Sequence, residues 1–206
     1  ILDDSLRALA AEAAQGEERL LAPLVLSADG SRQDTVHPMP ASAADAVRTL
    51  LPPAAVPGRV GVWLAPWRAR APRRVGWAVG CALAGRTETL RRLGPFDEAI
   101  FLYGEDMDLG LRAARAGVPT VFWPAARLIH HAGHAAARAF GGEPYERRAQ
   151  ARRTAVSRHH GRRGRLVDDA AQALTFAGRG ALKRALGRDA AREAALLDAL
   201  RAARRG

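Results

Sequence analysis

Carboxylates are concentrated in one short stretch of this sequence. Twelve consecutive residues contain five of them: Asp97, Glu98, Glu105, Asp106 and Asp108. The last three fall in the first turn of a helix predicted over 105–116, where acidic side chains complement the helix dipole. Asp108 is followed four residues later by Arg112, which predicts a helical ion pair and a structural role. Asp97 and Glu98 are interpreted as caps of the next turn.

Asp106 differs from its neighbours because no basic residue occupies its own helical face. That face continues through small residues that permit close packing, namely Gly110, Ala113 and Gly117. A carboxylate held in a crowded place without a salt bridge is a candidate general base. The larger apolar residues around it are expected to belong to the core: Phe96, Phe101 and Leu102.

The elements that must position these carboxylates follow an α/β pattern. A helix is expected to begin at the capping residues Asp3 and Asp4, with an apolar stripe formed by Leu6, Leu9, Ala10 and Ala13. Strands are expected at 20–26, 77–84, 119–123 and 127–130, and a hairpin turn at 28–31 that returns to Val36. Shorter helices are expected at 43–51, inside a long irregular excursion over 38–75, and at 86–93. Beyond residue 143 the pattern is helical: about 144–160, 166–186 and 189–204.

Several short motifs follow one another along the first part of the chain. They are Gly76-Trp77-Ala78-Val79-Gly80-Cys81, Arg86, Gly94-Pro95-Phe96-Asp97-Glu98, Phe101-Leu102-Tyr103-Gly104-Glu105-Asp106-Met107-Asp108, Ala116-Gly117, Pro124-Ala125-Ala126-Arg127 and His130-His131-Ala132-Gly133. Together they resemble family 2 glycosyltransferases of the rhamnosyltransferase-like group. The resemblance covers about residues 1–140, and the Phe-Asp-Glu to Gly-Glu-Asp-Met-Asp block is its most specific part.

The resemblance implies the C-terminal part of a GT-A (nucleotide-diphospho-sugar transferase) fold over residues 1–142, followed by a basic α-helical extension over 143–206. In this family the nucleotide-binding half precedes the segment matched by Ile1 to Ser5 and ends in an acidic metal motif. We therefore expect a fragment that lacks that half and does not turn over alone. The intact enzyme would transfer a sugar from a nucleoside diphosphate donor to a glycan or lipid-linked glycan in cell-wall polysaccharide synthesis.

The resemblance also implies roles for individual residues. Asp106 matches the base that deprotonates the acceptor hydroxyl in an inverting displacement, and Glu105 is assigned to substrate binding. A divalent metal, Mg or Mn, would neutralise the departing diphosphate. His130 matches the position of a metal ligand, and spacing alone leaves His131 open as an alternative. The segment that lines the cleft comprises Trp77, Gly80 and Cys81, although Trp77 fits a core strand equally well.

Charge is distributed unevenly along the chain. Residues 1–146 carry 16 basic and 16 acidic side chains, whereas residues 147–206 carry 16 basic and 5 acidic ones, a net of +11. The tail is therefore expected to meet an anionic partner. Its helix at 166–186 has an apolar stripe opposite Arg179, Lys183 and Arg184, which fits a helix on a membrane surface and, equally well, a solvated helix that packs back on the core. The stripe consists of Leu166, Ala170, Leu174, Ala177, Leu182 and Leu186.

A noncatalytic module that binds nucleic acid or an anionic membrane through 147–206 is the alternative function, and a noncatalytic remnant is a third. Nucleic acid is the weaker partner, because Phe176 is the only aromatic residue in the tail after Tyr145 and offers no stacking platform. A single cysteine, Cys81, excludes an internal disulfide framework. No apolar run reaches about 20 residues. We expect a cytoplasmic protein, peripheral on the inner face of the membrane if the tail binds lipid.

Overall fold

A three-stranded sheet and a set of C-terminal helices build the fold. The computed structural model describes residues 4–50, 56–94, 96–98, 100, 103–131 and 143–205. In chain order its elements are α1 (Ser5–Ala14), β1 (Leu20–Leu26), β2 (Val36–His37), α2 (Ala43–Leu50), α3 (Gly58–Leu64), a 3-10 turn (Pro66–Arg68), β3 (Arg73–Val75), β4 (Trp77–Ala78), α4 (Thr87–Leu93), α5 (Glu105–Arg115), β5 (Thr120–Ile129), α6 (Tyr145–Ala185) and α7 (Ala191–Arg205). The mixed α/β class expected from the sequence is confirmed.

The main sheet has the order β1-β5-β3, with β1 parallel and β3 antiparallel to β5. β1 lies where predicted, and its apolar side chains are almost all buried. The two strands predicted at 119–123 and 127–130 are one strand, β5. Pro23 pairs with Trp123 while Leu24 pairs with Arg127, so three residues of β5 bulge out of the ladder. A bulge absorbs the proline at position 124 without ending the strand.

The predicted hairpin after β1 is confirmed only in part. The chain turns at Ser27–Ser31 and returns antiparallel beside the end of β1, through the Leu26–Arg32 bridge and a hydrogen bond from the Gln33 amide to Val25 O, but the pairing does not extend to Val36. Val36–His37 pairs instead with Trp77–Ala78, forming a separate two-stranded sheet. The strand predicted over 77–84 is consequently only two residues long, because the backbone turns at Gly80 and Cys81.

The described parts of the excursion over 38–75, residues 38–50 and 56–75, contain more regular structure than the sequence predicts. α2 confirms the expected helical patch, and α3, the 3-10 turn and β3 follow within the same stretch. Arginine side chains satisfy several of its backbone carbonyls: Arg32 donates to Trp67 O and Ala69 O, Arg68 to Val56 O, and Arg73 to Val62 O. Local sequence patterns do not reveal such long-range bonds.

The start of α1 departs from the expected cap. The helix begins at Ser5, but the Asp4 side chain makes no capping hydrogen bond and lies 3.9 Å from Arg7 in an exposed pair. Ser5 instead accepts a hydrogen bond from the Arg127 amide, at 3.0 Å, which ties α1 to β5. Leu9 and Ala13 are buried as expected, whereas Leu6 is 46% exposed. Asp3 lies outside the described residues.

The long helix α6 reverses direction at Gly161, whose φ of 63° and ψ of −167° are non-helical. Arg152 and Asp168 would lie roughly 24 Å apart in a straight helix, at about 1.5 Å per residue. Their side chains are 2.6 Å apart, and a parallel pair joins Arg153 to Asp169 at 3.0 Å. The tail is therefore three helical segments, 145–160, 162–185 and α7, close to the predicted ranges. None of the described helices is both long and apolar enough to cross a bilayer.

Candidate active site

One cavity of about 1230 Å³ opens between the sheet region and the C-terminal helices. One wall comes from β2, α2 and the turn after β4, and another from the start of α5. The third wall is formed by α6 and α7, so the basic tail packs against the α/β part and shares its cavity. Every site residue expected from the sequence lines this cavity: Trp77, Gly80, Cys81, Glu105, Asp106 and His130.

Two backbone amides hold the Asp106 carboxylate in the cavity. Its Oδ2 accepts a hydrogen bond from the Gly80 amide at 3.0 Å, and its Oδ1 accepts one from the Met107 amide at 2.7 Å. Desolvation by burial raises the pKa of Asp106 above its ordinary value of 3.8, although both amides act in the opposite direction. In the described part of the chain it forms no ion pair. Asp106 therefore has the orientation and raised proton affinity that a general base needs.

The backbone before α5 presents this carboxylate through an uncommon conformation. Tyr103 has a φ of 65° and Gly104 a φ of 85°, so two consecutive residues are left-handed. A non-glycine residue at positive φ is uncommon and is retained where the surroundings hold it. The Arg148 guanidinium lies 5.6 Å from the centre of the Tyr103 ring, and a Cβ on Gly104 would lie 3.1 Å from the Ala151 backbone. The first segment of α6 thus holds this turn in place.

Trp77 is both a core residue and a wall of the cavity. Its side chain is 9% exposed and packs with Met107, Ala155 and Val156. The His37 ring stacks on it with a centroid separation of 4.3 Å. Burial first, and then the fields of nearby arginines, hold the pKa of His37 well below 6.5, so this imidazole is neutral at physiological pH.

The small residues on the face of α5 permit the expected close packing. A Cβ placed on Gly110 would lie 2.5 Å from Trp77 Cβ and 3.1 Å from Trp77 Cα. Only a residue without a side chain allows α5 to approach β4 this closely. Gly110 therefore sets the distance between the helix that carries Asp106 and the strand that leads to Gly80.

The turn after β4 forms the rim of the cavity beside Asp106. Gly80 contributes its amide, and a Cβ there would lie 3.4 Å from Asp106 Cβ and 3.7 Å from the Phe96 ring. The expectation that Phe96 belongs to the core is wrong, because the residue is 51% exposed and lines the cavity. Phe101 and Leu102 lie outside the described residues. Burial raises the pKa of the Cys81 thiol above 9.0, so it is protonated at neutral pH and a poor nucleophile.

Glu105 begins α5 and faces the same cavity. Desolvation by burial raises its pKa above 4.5, and the charge of Asp106 acts in the same direction. Its Oε2 is buried and has no hydrogen-bond partner among the described residues. A carboxylate oxygen in this state is a suitable acceptor for a substrate hydroxyl.

His130 follows the end of β5. Its Nδ1 lies 3.1 Å from Gln33 Oε1, an arrangement that places the proton on Nδ1 and leaves the Nε2 lone pair available to a metal. Within the described residues, however, no three His, Cys, Asp or Glu side chains are grouped as metal ligands. The imidazole suits a divalent ion, but these residues do not complete a ligand set.

Asp108 has the structural role expected of it and a further partner. Its carboxylate is fully buried, with Arg112 Nε at 2.8 Å and His159 Nε2 at 2.8 Å. The Arg112 pair is local and was predicted from the spacing. The His159 contact is not, because it joins α5 to the first segment of α6 across 51 residues of sequence.

Sequence reasoning missed the charged residues that the other walls contribute to the cavity. The acids include Asp34 and Asp45, and the cations include Arg48, Arg148, Arg152, Arg179 and Arg192. The +11 charge of the tail was the one available signal, and it was assigned to an external surface. The Asp45 carboxylate lies 3.3 Å from Arg152, so one of the tail's arginines is already paired inside the protein.

Curated proteins that are similar to this chain are named as rhamnosyltransferases. A Mycobacterium tuberculosis protein named N-acetylglucosaminyl-diphospho-decaprenol L-rhamnosyltransferase is 33% identical over 122 residues, with the same values in strains CDC 1551 and H37Rv. Rhamnosyltransferase WbbL of Escherichia coli K12 is 40% identical over 60 residues. These matches cover 57% and 29% of this chain.

The chain spans 39% of the length of the mycobacterial proteins and 23% of the E. coli protein. No protein-family model matches the chain. The similarity to proteins named as rhamnosyltransferases supports a glycosyltransferase-like family for this chain.

Proposed function

We propose that this chain forms the acceptor side of an inverting family 2 glycosyltransferase of the GT-A type. The donor would be a nucleoside diphosphate sugar, and the acceptor a lipid-linked sugar diphosphate used in cell-envelope polysaccharide synthesis. The acceptor class follows from the name of the mycobacterial relatives. The observation that carries the proposal is Asp106: a half-buried carboxylate with raised proton affinity and no ion pair among the described residues, held by two backbone amides at the edge of a large cavity.

In the proposed reaction Asp106 removes the proton from the attacking hydroxyl of the acceptor. The hydroxyl oxygen forms a bond to the anomeric carbon of the donor sugar while the bond between that carbon and the diphosphate oxygen breaks. The nucleoside diphosphate leaves with the bonding electron pair from the opposite face, so the anomeric configuration inverts. Both Asp106 oxygens already accept one hydrogen bond, which fixes the carboxylate plane before the acceptor binds.

Asp106→Asn tests this assignment, and Asp198→Asn is the matched control because Asp198 is exposed on α7 with only a surface pair to Arg201. Transfer is measured with the product of the complete gene and a panel of nucleotide sugars. Loss of general base catalysis should lower the transfer rate by about 100-fold or more. The control should retain the wild-type rate, and both variants should unfold cooperatively. A rate within about threefold of wild type for Asp106→Asn would place the base elsewhere.

We propose that the enzyme depends on Mg or Mn and that His130 is one ligand. When bound, the ion would offset charge that develops on the leaving diphosphate. His130→Ala should weaken binding of Mn²⁺ measured by calorimetry in the presence of a nucleoside diphosphate. Unaltered Mn²⁺ affinity in this variant would remove His130 from the ligand set.

We also propose that the second segment of α6 lies on the inner face of the cell membrane. The leucines of the predicted apolar stripe are exposed: the accessible fractions of Leu166, Leu174, Leu182 and Leu186 lie between 47% and 59%. The neighbouring Val167 is 51% exposed. Arg179 and Lys183, opposite the stripe, face the cavity and α7. Arginines at both ends of the segment supply the cations that attract anionic lipid, each contributing about 1 kcal/mol near such a surface. The stripe and its charges together match an anionic phospholipid surface.

Vesicle sedimentation tests this surface. The chain should bind vesicles that contain phosphatidylglycerol and bind neutral phosphatidylcholine vesicles weakly. The double variant Leu166→Gln/Leu174→Gln should lose most of the binding, whereas Leu6→Gln, an equally exposed leucine on α1, should not. Tighter binding to duplex DNA than to anionic vesicles at moderate salt would favour the nucleic-acid module instead.

A further inference from the structure

Three arginines from three helices line the cavity and have no part in the proposed proton transfer. Arg48 lies on α2, Arg179 on the second segment of α6 and Arg192 on α7. Arg48 and Arg192 both act electrostatically on Arg179, so the three form one cluster. Residues from positions 48, 179 and 192 meet because α6 reverses at Gly161.

Arg48 is held in a defined orientation. Its guanidinium lies 5.3 Å from the centre of the Trp67 ring, a cation–π contact, and its Nη2 lies 3.6 Å from Asp34 Oδ2. The side chain is only 15% exposed. An arginine fixed in this way presents its remaining N–H donors without losing much conformational entropy on binding.

Arg179 and Arg192 form no ion pair or side-chain hydrogen bond in the described part of the chain. Two acids, Asp34 and Glu193, lie close enough to Arg179 to raise its pKa, but both have other partners. Asp34 contacts Arg48, and Glu193 accepts a hydrogen bond from Lys183 at 2.8 Å. Burial, and then the positive charge of Arg48, lower the pKa of Arg179. Positive charge therefore exceeds negative charge in a partly desolvated wall, which is unfavourable unless an anion binds there.

We propose that Arg48, Arg179 and Arg192 form a subsite for the diphosphate group of the acceptor. This inference rests on the proposed function for the nature of the acceptor. Planar guanidinium groups bind phosphate oxygens through paired hydrogen bonds, and a diphosphate offers enough oxygens for three of them. A sugar diphosphate acceptor carries a hydroxyl for Asp106 and a diphosphate for the arginines in one molecule. The cluster would thus select acceptors whose sugar is linked through a diphosphate over neutral glycans.

Inorganic pyrophosphate is the first probe, titrated into the 206-residue chain by calorimetry at fixed ionic strength. Arg179→Gln and Arg192→Gln should each raise the dissociation constant by about tenfold, since each removes charge-assisted hydrogen bonds. Arg188→Gln is the matched control, because Arg188 is an exposed arginine between α6 and α7 that does not line the cavity. Equal losses in all three variants would mean nonspecific charge attraction, and wild-type affinity in Arg179→Gln/Arg192→Gln would remove the subsite.

Kinetics of the complete gene product identify the source of the diphosphate. If the subsite serves the acceptor, the arginine variants raise the KM for a prenyl-diphosphate sugar and leave the KM for the nucleotide sugar unchanged. The reverse pattern would assign the cluster to the donor and overturn the proposal. Asp106→Asn should leave pyrophosphate affinity unchanged, so failure of the base assignment and failure of the subsite give separate results.

Discussion

Gly110 offers the sharpest test of how α5 is positioned against β4. In Gly110→Ala the new Cβ would lie 2.5 Å from Trp77 Cβ and 3.1 Å from Trp77 Cα. The near atoms belong to the backbone or are bonded directly to it, and Trp77 is paired to His37 in the small sheet, so neither can rotate away. We expect an overpacking cost of about 3 kcal/mol, near the upper end for such substitutions.

Alanine is also the better helix former, by about 1 kcal/mol, and this gain must be separated from the steric cost. Gly178→Ala provides the control, because Gly178 lies in α6 with open space where its Cβ would be. Both variants share the propensity gain, so their difference in the free energy of unfolding isolates the overpacking. Urea denaturation should show Gly178→Ala more stable than wild type and Gly110→Ala less stable. Equal stabilities within about 0.5 kcal/mol would refute the reasoning, since substitutions of this kind normally cost more.

Three further outcomes follow from other parts of the structure. Gly161→Ala should lower the free energy of unfolding by about 1–3 kcal/mol, because the φ of 63° and ψ of −167° suit glycine almost exclusively, and thermal unfolding measures it. Burial raises the pKa of Asp34 to about 7. Between about pH 4 and pH 7 the folded protein therefore keeps a proton that the unfolded chain has released, and the free energy of unfolding should fall as the pH rises through this range. The charged and titratable groups that face Asp34 are His37, Arg48 and Arg179. Denaturation curves at several pH values should show a smaller decline in stability for Asp34→Asn than for wild type, and an unchanged decline for the control Asp198→Asn. Finally, the rate of transfer should fall on the acid side with a midpoint above pH 3.8, because a raised pKa leaves Asp106 protonated to higher pH; a midpoint at or below that value would argue against Asp106 as the base.

The parts of the fold that were predictable are those decided by local sequence. The helix of Glu105 and Asp106 has acidic residues at its start and a glycine at its end, and the Asp108–Arg112 pair follows from a spacing of four. The sequence also showed that no basic residue shares the helical face of Asp106. The helices predicted at about 144–160 and 166–186 leave a gap that contains Gly161, where the structure has the break.

The remainder depends on contacts between distant segments. Nothing local indicates that Val36–His37 pairs with Trp77–Ala78, that the Gly80 amide binds Asp106, or that His159 reaches Asp108. The arginine cluster was hidden for a related reason. A run of basic residues looks like a solvated or membrane-facing surface until the reversal of α6 turns part of it inward.

The orientation of Asp106 has a consequence for how such a site can evolve. Both of its hydrogen-bond donors are main-chain amides, Gly80 N and Met107 N, and every residue except proline provides an amide. Substitution of surrounding side chains therefore cannot remove the donors, provided that the backbone path is kept. Under the proposed function, the arginine cluster can therefore change with the acceptor while the main chain keeps the orientation of the carboxylate. If both proposals hold, acceptor specificity and proton transfer can vary independently, because different parts of the polypeptide encode them.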